Sequence, residues 1–91
     1  MSRAEQIKVF LEEMNPEALL ADGLEEALVG TTTGMHPIRG PIAVYDREKC
    51  LQIFMKDGMT EGQACEYMSF NVEGAYVGEG TPIFCDFSSF E

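Results

Sequence analysis

The stretch "DREKCLQIFMKDGMTEGQ", Asp46 to Gln63, holds a helix start, a helix stop and a second helix start in one run. Asp46 has the short acceptor side chain that an N-cap needs. Behind it, Cys50, Leu51, Ile53 and Phe54 fall on one side, with Glu48, Gln52 and Lys56 opposite. Glu48 in the first turn and Lys56 in the last complement the helix dipole. Asp57-Gly58 closes the helix, Gly58 supplying the left-handed conformation of a C-cap. Thr60 and Gln63 then stand at capping-box spacing and open a helix predicted from about Glu61 into the 70s. So short a connection makes the two helices antiparallel neighbours, an αα-hairpin. The rest of the chain has to supply the surface on which that pair buries its apolar side.

The flanking segments supply a sheet. "SRAEQIKVFLEEM" reads as an amphipathic helix with Ala4, Ile7, Leu11 and Met14 at three- and four-residue spacing, Phe10 beside them, and a capping box from Ser2 to Glu5. Asn15-Pro16 ends it. Asn15 is placed to cap a short second helix, "PEALLA", which stops at Asp22-Gly23. Ala27 to Thr32 reads as a strand, "MHPIRGP" as a loop and "IAVY" as a second strand antiparallel to the first. "TPIFCDF" is a third strand, with Pro82 at its start, Ile83 and Cys85 toward one face, and Phe84 and Asp86 toward the other. The order α-α-β-β-α-α-β predicts an α+β fold. Its parts are a small antiparallel sheet of about three strands and helices, the αα-hairpin included, packed on one face. At 91 residues the whole chain, 1–91, is one domain.

Charge excludes several functions. Sixteen acidic residues stand against six basic ones, a net charge of −10. Direct nucleic-acid binding needs a basic stripe, and binding to an anionic membrane surface needs the same sign. An acidic surface suits a basic protein partner, or imitation of DNA in front of a nucleic-acid enzyme. No apolar run approaches 18 residues and no secretory h-region opens the sequence. The three cysteines, Cys50, Cys65 and Cys85, form no CxxC, and His36 is the sole histidine. Neither a disulfide framework nor a metal site is expected, and the simplest setting is a cytoplasmic one with three free thiols.

The most individual stretch is "FNVEGAYVGEGTPIF", Phe70 to Phe84. On an α-helical wheel Ala64, Cys65, Tyr67, Met68, Val72, Ala75 and Tyr76 share one broad face, and Asn71 lands among them. A buried amide needs partners. Asn71 is therefore expected to be buried and bonded, either to loop or strand-end backbone or as the polar floor of a ligand site, the remaining alternative being a helix that ends before Asn71. That site would be framed by Asn71, Tyr76, Gly78, Glu79 and Thr81. Gly78 and Gly80 are read as the release from helix to strand. "GEGTP" lacks the lysine of a phosphate loop. No GxSxG, HExxH or EF-hand loop occurs, and the adjacent pairs Glu12-Glu13 and Glu25-Glu26 are poor acid/base dyads. No catalytic residue and no cofactor are expected. Phe87 and Phe90 lie where a small domain has little left to cover them; the tail is expected to dock on its own core or on a second subunit, which makes a homo-oligomer the expectation.

From Val44 to Phe84 the chain resembles a family of small, uncharacterised prokaryotic and phage-borne proteins. The matches are Tyr45, Asp46, Lys49, Met55, Asp57 to Met59, Ala64, Glu66, Tyr67, Phe70, Asn71, Gly74 to Glu79, Thr81, Pro82 and Phe84. "ADGLEEALVG" is a weaker echo, and Gly62 is a poor helix residue in its place. The resemblance implies a bacterial or viral cytoplasmic setting and carries no activity. The expectation is a small acidic, non-enzymatic interaction module that self-associates. The alternatives are a protein binding a small metabolite or nucleotide, and an acidic inhibitor of a host nucleic-acid enzyme.

Overall fold

The computed structural model describes residues 2–33, 40–73, 78 and 80–87. Among these residues, three α-helices and a three-stranded mixed sheet make an α+β fold. Helix α1 (Arg3–Met14) starts at Ser2, whose hydroxyl accepts from the Glu5 backbone N–H at 3.2 Å. That hydroxyl in turn donates to the Glu5 carboxylate at 3.2 Å, so the return bond is made to the Ser2 side chain. Leu11 is the buried residue of α1.

The short helix expected over Pro16–Ala21 does not form. Its backbone donors go elsewhere. Ala18 donates to the Asn15 carbonyl at 2.9 Å and Leu19 to the Gly80 carbonyl at 2.9 Å. Ala21 donates to the Tyr45 hydroxyl at 2.8 Å. The Asn15 amide, expected as a cap, donates to the Pro41 carbonyl at 3.0 Å instead. A helix this short nucleates poorly on its own, and the bonds to Gly80 and Tyr45 outcompete it.

Strand β1 (Leu28–Thr31) comes directly after a single 3-10 turn at Glu25–Ala27. It pairs antiparallel with β2 (Ala43–Asp46), Leu28 opposite Tyr45 and Thr31 opposite Ala43, with a bulge between Leu28 and Gly30. Asp46 ends β2 and caps α2 (Arg47–Lys56), its carboxylate accepting from the N–H groups of Glu48 at 3.0 Å and Lys49 at 3.4 Å. Gly58 closes that helix at φ 109°. Helix α3 (Glu61–Tyr67) opens with the complete Thr60–Gln63 capping box and continues as a π-helical stretch over Met68–Glu73.

The last strand corrects the expected antiparallel sheet. Strand β3 (Ile83–Cys85) lies beside β2 and runs parallel to it. Parallel neighbours need a long crossover, and α2 and α3 lie within this one. The direction is bound up with one side chain. In the parallel register Phe84 stands opposite Tyr45, and the two rings stack at 5.3 Å. Leu11, Leu24, Ala27, Leu28, Ala43, Tyr45, Cys50, Leu51, Ala64 and Met68 form the core. Among the described residues no helix is long and apolar enough to cross a membrane.

Candidate functional site

Past Tyr67 the third helix sends Met68 fully into the core, and the backbone then widens from the α to the π pattern. An α-helical wheel misplaces the residues beyond that point. Asn71, expected on the buried face, is exposed, and Val72 packs against the core. Among the described residues no hydrogen bond holds the Asn71 amide. The buried Asn71 of the sequence reading is thus overturned by the change of helical period.

Exposure leaves Asn71 at the edge of a groove. The cavity measures about 340 Å³. Leu19 to Asp22 with Leu24, then Phe54, Tyr67, Asn71 and Val72, then Thr81, Pro82 and Phe84 line it. Each part is tied down. The bond from Leu19 to Gly80 joins the first segment to the last, and the bond from Ala21 to Tyr45 fixes the first to the sheet. Phe54 and Tyr67 meet edge to face at 4.9 Å, and Phe84 stacks on Tyr45. Gly80 has a steric reason to be glycine, because a Cβ there would land on the backbone carbonyl of Glu17. Thr81 donates its backbone N–H at 3.2 Å and its hydroxyl at 2.7 Å to the Gly78 carbonyl, closing a turn in which Gly78 has φ 118°.

Of the residues expected at a ligand site, Asn71 and Thr81 share this groove. Gly78 stands behind Thr81 as its hydrogen-bond acceptor. Tyr76 and Glu79 lie outside the described residues, as do His36 and Phe90. The sequence reading missed Leu19, Leu20 and Asp22, whose apolar pair was assigned to the helix that does not form. It also took Tyr67 for core, whereas Tyr67 is 41% exposed. Leu19 and Leu20, at 42% and 38%, complete an apolar rim. A second hollow of about 450 Å³ continues from Tyr67 and Asn71 to Met59, Gln63, Glu66 and Phe70, and the Phe70 side chain is 78% exposed.

Among the described residues the groove lining holds one carboxylate, Asp22, and neither His, Cys, Lys nor Arg. Behind it, burial pushes the Tyr45 phenol above its ordinary range, opposed by the hydrogen bond from Ala21. On the neighbouring turn the Glu25 carboxyl is lowered, first by its own backbone N–H and then by that of Gly23. Cys50 is buried, Cys65 and Cys85 are half-buried, and all three are free thiols. Among the described residues no group of three or more His, Cys, Asp or Glu side chains is placed to hold a metal ion. The described residues offer a binding surface: an apolar floor, aromatic edges and an exposed amide on the rim. Comparison with protein families, curated proteins and solved structures finds no match.

Proposed function

We propose that the protein is a small, non-enzymatic interaction module whose contact surface is the groove between the Leu19–Asp22 segment, Tyr67–Asn71 and Thr81–Phe84. One observation carries this reading. Leu19, Leu20, Tyr67 and Phe70 stand at 38–78% exposure along one groove and its neighbouring hollow, where scattered single apolar residues would be ordinary. The π-helical stretch beside it adds support, because such interruptions recur at functional sites. A bacterial or phage setting is what the resemblance over Val44 to Phe84 implies. The test is photo-crosslinking in bacterial cells from a reactive side chain placed at Phe70, with Glu12 as control position. Discrete adducts from position 70 alone are expected; the same pattern from both positions, or none from position 70, overturns the reading.

A small ligand is the second reading, favoured by Asn71 and Thr81 on one groove of a size that suits small molecules. A thermal-shift screen of metabolites and nucleotides tests it. A ligand at one hundred times its Kd adds about 2.7 kcal/mol.

A further inference from the structure

Charge on this chain is segregated. From Val9 to Ile38 there is no Lys or Arg and there are six acidic residues. From Asp57 to Glu91 there is again no Lys or Arg, with seven acidic residues. Every described residue lining the groove except Phe54 comes from one of these two stretches. Asp22 lines the groove and Glu66 the adjoining hollow. Three of the six cations line other hollows: Lys49 and Lys56 share one with Glu26, and Arg3 and Lys49 share another with Glu25 and Glu26.

We propose that the groove takes a basic amphipathic segment of another protein, one or two apolar anchors seated beside Leu20, Tyr67 and Phe84 with Lys or Arg reaching Asp22 and Glu66. The proposal rests on the groove being a contact surface and adds the chemistry of its occupant. Apolar anchors in a groove supply affinity, while complementary charge at the rim supplies orientation and speed of encounter. A second copy fits this surface poorly. A two-fold contact presents the same patch twice, which here sets acid against acid with no cation among the described lining residues of either copy. A basic segment removes that repulsion and gains from the net charge of −10.

The test is selection of a displayed random-peptide library on the full chain. The selected peptides are then measured on three variants: Asn71→Lys, Asp22→Asn with Glu66→Gln, and Glu12→Gln with Glu13→Gln as a remote control. Asn71 and Glu66 are exposed, so these substitutions leave the fold intact, and circular dichroism verifies it. Selected peptides are expected to place Lys or Arg beside aromatic or aliphatic residues, and to lose binding on Asn71→Lys. They should weaken about tenfold on the Asp22/Glu66 pair, as two rim ion pairs allow, and stay unchanged on the remote control. Peptides without positive charge that still need Asn71 overturn the basic occupant and leave the contact surface standing. No enrichment, or binding indifferent to Asn71→Lys, overturns both. A doubling of mass in light scattering that Asn71→Lys abolishes makes the occupant a second copy and overturns the proposal.

Discussion

The Tyr45 hydroxyl accepts the Ala21 N–H, and its ring carries Phe84, so one side chain joins the sheet to both ends of the groove. Tyr45→Phe keeps the ring and leaves the Ala21 donor without its partner. A loss of about 1–3 kcal/mol by urea denaturation is expected. The same residue sets an alkaline limit. Burial raises the folded phenol above its ordinary 10.0, so its contribution is complete below that value and is lost as pH rises through the folded one. From about pH 9 to about pH 11 the wild-type urea midpoint should fall more steeply than that of Tyr45→Phe. Glu25 acts in the opposite sense. Its lowered carboxyl favours the fold above the ordinary carboxylate range, and that share fades as pH falls through the folded value. Asn71 marks the limit of reading single residues from a wheel. A buried amide would make Asn71→Leu costly, but the exposed one puts that change within about 0.5 kcal/mol of neutral by the same measurement.

Local signals were legible where the residues that make them are neighbours in sequence. Asp46, Gly58 and the Thr60–Gln63 box each appear in the structure in the role their spacing implies. Thr60→Ala removes the box and should cost about 1 kcal/mol in thermal or urea unfolding. Signals settled at long range were not legible. Pro16–Ala21 has helix-forming residues, yet its donors are claimed by Gly80 and Tyr45. The π stretch from Met68 to Glu73 has no local breaker before it, so the Asn71 side of the groove could not be placed from the sequence. At Gly80 the close approach of the Glu17 backbone adds a steric demand that no neighbouring residue in the sequence records. Gly80→Ala must move one of the two backbones, and a loss of about 1–3 kcal/mol is expected, with groove binding weakened alongside.

Across the whole molecule, the α+β class could be read because alternating caps and short β-rich runs leave few other packings. The direction of β3 could not, because no sequence neighbour of Phe84 records that Tyr45 is its partner. The thiols report on the same whole. Cys50 is fully buried, while Cys65 and Cys85 are half-buried. A disulfide-exchange reagent should therefore modify two groups on the native protein ahead of a third, which waits on unfolding. The bond from Leu19 to Gly80 has a consequence in time. Its two ends are far apart along the chain, so closing that loop is entropically costly and belongs to the later events of folding. Contacts absent from the folding transition state act on the unfolding rate. In stopped-flow measurements Gly80→Ala should speed escape from the native state and leave the folding limb nearly unmoved, whereas Thr60→Ala, acting on a local turn, should slow folding itself. The groove would then be the last part of the molecule to assemble and the first to open.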